Sequence, residues 1–558
     1  MINENNLTRA EHTTEKWVAK EFTFVSTKEY SPASDAFYVV ADAVFTHRMS
    51  GKVMRIPMFW YEKNVFKARF APTETGLWDV KTECETDESL NGITTTLYAD
   101  YYMGPYDVYR QGFVTAKYGK KYFTYDDGTP FFYLGDTHWG MFKEEMDCAG
   151  PDAGGLNVDS HFRHVVDRRV RQGFNVYQSE PIQMPDIKLK NPVTGDTMEG
   201  LKKADRYFAY IAEKGLTHTN AQFFFTSDMN DEMAQNLPYL KALSRHWVAR
   251  WGAYPVMWTL AQECDNDFYA EDKKVNSFKW GDGHNPWIDV AEFMHGFDAY
   301  SHPLSGHQEG ATNTTVTGRG ITVKAASRNG ESVFRSKEVT EKTGHNWWAS
   351  QWKPSLNQLP FFESAKDYWE SEKVGVNYEG RYVNLWTNDF GGRSQGWISY
   401  LCGFFGYGYG IIDHWLYKST YDMDNETAYR DGVSVVSVED KKARWPQALE
   451  FPSAYHMGYM RRFFESFDWY NLVPEFDYQT HFVPDENCIY ACASSNDAVV
   501  VYLYGENTLG GTLKDIDLEE YKTVWFNPRT AETVAAFDDG NGHFAKPDEK
   551  DWVLFAKK

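Results

Sequence analysis

The runs FFYLGDTHW (131–139), FNVYQSEPI (174–182), LTHTNAQFFF (216–225) and PVMWTLAQECD (255–265) decide the fold of this chain. Each is short, rich in apolar, β-branched and aromatic residues, and ends in polar side chains, which is how a buried strand reads. Between them the period changes. In 237–251, Leu237, Leu240, Leu243, Trp247, Val248 and Trp251 recur at spacings of three and four, as do Trp287, Val290, Phe293, Met294 and Phe297 in 287–297. Both patterns predict amphipathic helices. Four more strand candidates follow: SHPLSGHQEG (301–310), NWWASQW (346–352), KVGVNYEG (373–380) and IIDHWLY (411–417). Strands that alternate with helices build a parallel sheet, so the class is α/β. Eight strands within about 300 residues have the number and size of a (β/α)8 TIM barrel with insertions. The small residues of LCGFFGYGYG (401–410) suit either a helix packed close to the barrel or a loosened turn into its last strand.

Outward from this barrel the pattern turns to β on both sides. The first 15 or so residues read as a polar arm. AFYVVADAVFTH (36–47), VMRIPMFWYE (53–62), VFKARFAP (65–72) and LWDVKTECET (77–86), parted by turn signals such as Ser50-Gly51 and Glu74-Thr75-Gly76, predict an N-terminal β-sandwich. Beyond residue 440 a helical stretch, SAYHMGYMRRFFESF (453–467), leads into IYACASS, AVVVYLYG, KTVWFNP and WVLFAKK, a small C-terminal β-domain. The expected division is 1–105 for the sandwich, 106–440 for the barrel and 441–558 for the last domain.

Lys and Arg number 57 against 79 Asp and Glu, a net charge of −22. A phosphate backbone or an anionic membrane surface would be repelled, and no basic run offsets this, so neither is an expected partner. No apolar run approaches the length of about 18–20 residues that crosses a bilayer. The opening MINENNLTRAEHTTEKW has no apolar signal core. The expected location is cytoplasmic, or secreted or periplasmic if a signal peptide has been removed. Six scattered cysteines without a CxxC pair read as buried free thiols. The 20 Trp, 36 Tyr and 38 Phe leave two uses open: filling large cores, or lining a cleft where rings stack on a ligand. Small β-domains often supply subunit contacts, which leaves a homo-oligomer open.

In a barrel of this kind chemistry sits at the C-terminal strand ends. Strand 1 ends in Asp136, His138 and Trp139, strand 2 in Gln178 and Glu180, and strand 4 in Gln262, Glu263 and Asp265. Strand 5 carries His302, His307, Gln308 and Glu309, and strand 6 carries Trp347, Trp348, Gln351 and Trp352. Strand 7 ends in Tyr378 and Glu379, strand 8 in Asp413, His414 and Trp415. Carboxylates, amides, imidazoles and indoles together suit glycoside hydrolysis. One carboxylic acid protonates the leaving oxygen, a second carboxylate attacks or stabilises the anomeric carbon, amides and imidazoles hold hydroxyls, and indoles stack on the ring. Glu263, after the apolar run VMWTLA and beside Gln262, is the candidate acid/base. Glu379 is the candidate nucleophile, with Tyr378 placed to hydrogen-bond a neighbouring carboxylate. The candidate substrate-binding residues are Asp136, His138, Trp139, Gln178, Glu180, Gln262, His307, Trp348, Gln351, Tyr378 and Trp415. The competing readings are a strand-end Glu in a salt bridge and a structural His138. A third is a metal site on Asp136-x-His138, although no HExxH or regular ligand spacing accompanies that pair.

DGTPFFYLGDTHW, WTLAQE, NYEG, the stretch Arg393–Gly410 and the final DWVLF resemble, in this order, the apiosidase-like glycoside hydrolases. Arg393–Gly410 resembles that family's R-x3-W-x3-L-x-G-x2-G-x2-YG pattern, and the resemblance extends over nearly the whole chain. It implies a barrel of the clan with acid/base on strand 4 and nucleophile on strand 7. That clan is retaining, which would make Glu263 the acid/base and Glu379 the nucleophile, with no cofactor and no metal. It implies an oligosaccharide substrate of plant or algal type, cleaved from the end. Two positions depart from the pattern. Gln262 stands where the clan usually has Asn, and Gly375 stands where many relatives have a Glu ahead of Tyr-Glu-Gly. Glu180 and Asp389 are therefore the alternatives to Glu379. The other functions left standing are a metal-dependent barrel hydrolase on Asp136 and His138, and a carbohydrate-binding relative without catalysis.

Overall fold

The computed structural model describes residues 10–30, 33–117, 119–138, 150–153, 156–158, 160–180, 195–223, 231–261, 286–306, 315–318, 321–324, 349–351, 365–366, 369, 374–383, 387–411, 448–476 and 478–558.

Alternating burial builds the N-terminal sheets. Strand Ala41–His47 is buried at every second position, as is most of Gly76–Cys84. Both lie in a five-stranded sheet ordered His12–Glu15, Thr94–Asp100, Gly76–Cys84, Ala41–His47, Val53–Pro57. A second sheet of three strands, Lys20–Val25, Val65–Phe70 and Phe59–Glu62, packs its apolar face against the first. The rings of Phe45 and Phe70 stack across the gap with centroids 3.8 Å apart, and Trp78 meets Phe70 edge-on. The first strand starts later than the run 36–47 predicts, because Ala33–Phe37 forms a short helix. That turn carries the Phe37 ring onto His246 of helix Leu237–Trp251, 4.5 Å between centroids, a tertiary contact that outweighs local β-propensity.

Six parallel strands form the central sheet, in the order Leu304–Ser305, Val256–Ala261, Thr217–Phe223, Val176–Ser179, Tyr133–Thr137, Gly406–Gly410. Neighbours are consecutive in the chain, except that the last strand lies beside the first. Ala349–Gln351 and Gly375–Val376 make a separate parallel pair, and a single parallel bridge from Asn377 to Tyr407 ties that pair to the last strand. Helices Leu237–Trp251 and Trp287–Phe297 occupy the stretches of helical period. Asn236 caps the first of these by accepting from the Tyr239 amide, with Pro238 in its first turn, where a missing N–H is harmless.

The last strand differs from the sequence expectation. It is Gly406–Gly410 rather than 411–417, of which only Ile411 lies among the described residues. The reason is the interior it faces. Tyr407 and Tyr409 point outward into an apolar layer with Trp397 and Met460, while the alternate glycines face inward. A Cβ on Gly408 would lie 2.1 Å from the Tyr378 carbonyl oxygen and 2.7 Å from the Gln178 amide. A run that reads as a flexible turn is therefore a strand whose inner face must be bare.

Helix Asp389–Leu401 is buried along nearly its whole length, wedged between this sheet and the C-terminal domain. The C-terminal domain is an antiparallel six-stranded sheet, with Trp552–Lys557 between Ala498–Leu503 and Lys522–Phe526, flanked by a three-stranded sheet. Arg393 of the helix forks onto Asp551, with Nε donating to Oδ2 at 2.7 Å and Nη2 to Oδ1 at 2.8 Å, both groups buried. Tyr502 donates to the same carboxylate, and burial leaves the Arg393–Asp551 pair as a directed clasp between the two units. The four described cysteines are free thiols.

Candidate active site

A polar cluster lies on the inner face of the parallel sheet, above the apolar Val176 and Met257. Gln178, completely buried, accepts from the Tyr133 hydroxyl at 2.8 Å. Its Nε2 donates to Thr137 Oγ1 at 2.7 Å and to the Tyr378 carbonyl at 2.9 Å. One amide thus ties together the strands bearing Thr137 and Gln178 and the segment just past strand Gly375–Val376. The Tyr378 ring reaches across the interior to Thr219, 3.1 Å between oxygens, and Thr259 also bonds that hydroxyl. Burial raises the Tyr378 hydroxyl above the usual phenol range, and the charges of Glu180 and Glu379 push it further in the same direction. Tyr378 and Gln178 therefore hold the interior together, with their polar atoms engaged inside it.

Glu180 and Glu379 cap this cluster at the C-terminal ends of their strands, and both are buried. Glu379 is held from an unexpected side. The Tyr382 hydroxyl donates to its Oε1 at 2.5 Å. Tyr382 has room because Gly410 has no side chain: a Cβ there would fall 2.4 Å from the Tyr382 ring. The role of carboxylate donor that the sequence suggests for Tyr378 is filled at Glu379 by Tyr382, three residues past the carboxylate. The second tyrosine of NYEGRY was the available signal, but only the return of the chain over Gly410 shows that its hydroxyl reaches Glu379.

Asp136 belongs to a different layer. On a strand, alternate side chains face opposite ways. With Gly135 facing the Gln178 amide inside, Asp136 turns outward to helix His161–Gln172. Its Oδ2 lies 2.9 Å from Arg169 Nε, with each side chain only 1% exposed. Arg169 is fixed in turn by Gln172 and the Leu449 carbonyl. The Asp136 carboxylate thus faces a guanidinium cation on the outer side of the sheet. Among the described residues no three His, Cys, Asp or Glu side chains form a metal-binding group. His138 is buried; its backbone N–H donates to the Gln178 carbonyl at 2.8 Å, and its ring lies 6.4 Å from that of Tyr177. Asp389 starts the helix that carries Arg393 and accepts from the Ser453 amide at 2.8 Å. Trp139, Gln262, Glu263, His307, Trp348 and Trp415 lie outside the described residues, and Gln351 is described only as part of strand Ala349–Gln351.

The fold is shared with solved glycoside hydrolases. A Bacteroides vulgatus protein, whose own glycoside hydrolase assignment is provisional, is 14% identical with a TM-score of 0.63, over 98% of this chain and all of that one. A Bacteroides vulgatus glycoside hydrolase of family 5 is 17% identical, TM-score 0.55, over 81% of this chain and 94% of its own. A further structure described as a glycoside hydrolase is 16% identical, TM-score 0.54, over 82% and 99%. The class these likenesses define is a fold, the one that those structures share with this chain. A family model described as the apiosidase-like catalytic domain matches residues 117–471, more than half of the chain, and the chain belongs to that family. Residues 13–85 match a domain of unknown function, and residues 481–557 match a domain provisionally described as the collagen-binding domain of a collagenase. No curated protein matches the chain. No described helix is long and apolar enough to cross a membrane.

Proposed function

We propose that this chain is a retaining, exo-acting glycosidase on plant- or algal-type oligosaccharides, with Glu379 as nucleophile and Glu263 as acid/base. The observation that carries this reading is the buried Glu379 carboxylate at a strand end, held by the Tyr382 hydroxyl. A hydroxyl donor on Oε1 favours the ionised carboxylate and fixes its orientation at the strand end, as a nucleophile requires. In the first step Glu379 forms a bond to that carbon as Glu263 protonates the departing oxygen. In the second, Glu263 takes a proton from water, which displaces Glu379 and returns the sugar with its original configuration. The parallel pair 349–351 and 375–376 would close the six-stranded sheet into an eight-stranded barrel and set strand 7 beside strand 8, with unit boundaries near 105 and 440. His138 and the indoles of Trp139, Trp348 and Trp415 would then bind and enclose the terminal sugar, with Gln262, His307 and Gln351 bonding its hydroxyls.

The test is release of p-nitrophenol from a panel of aryl glycosides by the full chain, with Glu263→Gln and Glu379→Gln in parallel, and proton NMR of the first-formed sugar. Loss of at least about a thousandfold in both variants, with retention of configuration, is the expected outcome. Inversion, or full activity in Glu379→Gln, would overturn the assignment. Loss in Glu180→Gln together with activity in Glu379→Gln would move the nucleophile to Glu180, the other buried carboxylate acting on Tyr378.

A further inference from the structure

A cleft of about 1160 Å³ runs between the N-terminal sheets and the segment that leads from them toward the parallel sheet. We propose that this cleft is a second carbohydrate-binding site, which holds a glycan chain without cleaving it. Its walls carry the tyrosines Tyr98, Tyr101 and Tyr102, and its rim carries Glu74, Arg48 and Lys16. Tyr101 stands 61% exposed on the cleft, so its ring is open to a ligand lying there. Sugar rings present C–H faces that pack on aromatic rings and hydroxyls that need charged or polar groups at the edge. Tyrosine walls under a charged rim supply both, whereas a protein-docking face would be expected to carry a wider apolar core.

The rim is built rather than incidental. Glu74 Oε2 and Ser50 Oγ each lie 2.8 Å from Nδ1 of the buried His47, whose Nε2 is 3.1 Å from the Thr75 carbonyl oxygen. That packing needs Gly76: it sits at φ +123°, and a Cβ there would lie 2.9 Å from His47 Nε2. The Glu74 carboxylate thus stands at the rim beside the His47 ring, and its other oxygen has no partner among the described residues. The Lys16 ammonium has none either. A carboxylate acceptor and an ammonium donor on one rim offer both kinds of partner that sugar hydroxyls need.

The cleft is remote from Glu379. Tyr109, which also lines it, donates to the Ala212 carbonyl, just ahead of the N-terminal end of strand Thr217–Phe223. Glu379 follows the C-terminal end of strand Gly375–Val376. The site would keep the enzyme on a polymer while the opposite face works on chain ends.

The experiment is affinity electrophoresis of the full chain carrying Glu379→Gln, so that nothing in the gel is degraded. The gels contain arabinoxylan, xyloglucan, polygalacturonate or laminarin. Retardation is expected in at least one gel. Tyr101→Ala should weaken it on the order of three- to tenfold, the range of one aromatic contact. Tyr101→Phe should restore it, and Glu74→Gln should reduce it with the fold intact by circular dichroism. Absence of retardation in every gel overturns the proposal. So does retardation that Tyr101→Ala leaves unchanged, which would place binding at the reaction site instead. Binding is read without turnover, so failure here is separate from failure of the glycosidase assignment.

Discussion

Replacing Asp136 with Asn asks whether this residue serves ligand or fold. The carboxylate and the Arg169 guanidinium are each 1% exposed, 2.9 Å apart between a strand and its covering helix. With charge centres about 4 Å apart and an effective dielectric of about 20, their attraction is about 4 kcal/mol. The Asn variant keeps the shape and removes the charge, leaving a buried guanidinium uncompensated. Loss of one partner from such a pair costs about 3–5 kcal/mol. In a thermal melt followed by tryptophan fluorescence, that corresponds to a fall in midpoint on the order of 10 °C. The double variant Asp136→Leu with Arg169→Met should regain much of the loss, because no buried charge remains. A structural role predicts this pattern with KM little altered in the variants that fold. Wild-type melting in Asp136→Asn with a tenfold rise in KM would refute it and restore Asp136 to the substrate. A melting point lowered by chelator in the wild type, and not in Asp136→Asn, would restore the metal reading.

Three further outcomes are expected. Tyr382→Phe deletes the donor on Glu379 without changing ring volume, so kcat should fall about ten- to hundredfold, a lost hydrogen bond to a charged group, with KM nearly constant; an unchanged kcat would remove Tyr382 from the site. Gly408→Ala places a methyl 2.1 Å from the backbone oxygen of Tyr378, which cannot swing away, so destabilisation by more than about 2 kcal/mol or insoluble expression is expected, and a wild-type denaturation midpoint would contradict the assigned register. Burial lowers His218 to about 3, below the unfolded value of about 6.5. The unfolded chain then binds the extra proton, so stability is complete above about pH 6.5 and falls by about 1.4 kcal/mol per pH unit until about pH 3. His218→Gln should flatten this acid limb, and an identical limb in that variant would sink the reasoning.

How much of the site could be read without coordinates follows from what each signal depends on. Glu379 and Glu180 were legible as acids closing apolar strands, because strand ends are marked by a local change in polarity. Gln178 was legible as a polar group at the same height but not as a brace, since its three partners come from other strands. Tyr378 was read as the carboxylate's donor and instead spans the interior to Thr219, while Tyr382 takes that part. Which of the two reaches the carboxylate depends on how the chain returns over Gly410. Asp136 and His138 invited a metal reading through spacing alone, and spacing carries no information on what stands opposite.

By itself the sequence determined the alternation of strand and helix in the middle of the chain, the β pattern on both sides, the helices at 237–251 and 287–297, and the motif order of the family. Those depend on period and composition within a few turns of chain, which the backbone expresses locally. Tertiary structure alone decided that GYGYG is a strand with a bare inner face, that Asp136 pairs with Arg169, that Tyr382 grips Glu379, and that Arg393 clasps Asp551 from 158 residues away. Each of these is a contact between segments distant in the chain, and it arises only when the sheet fixes which face every side chain meets.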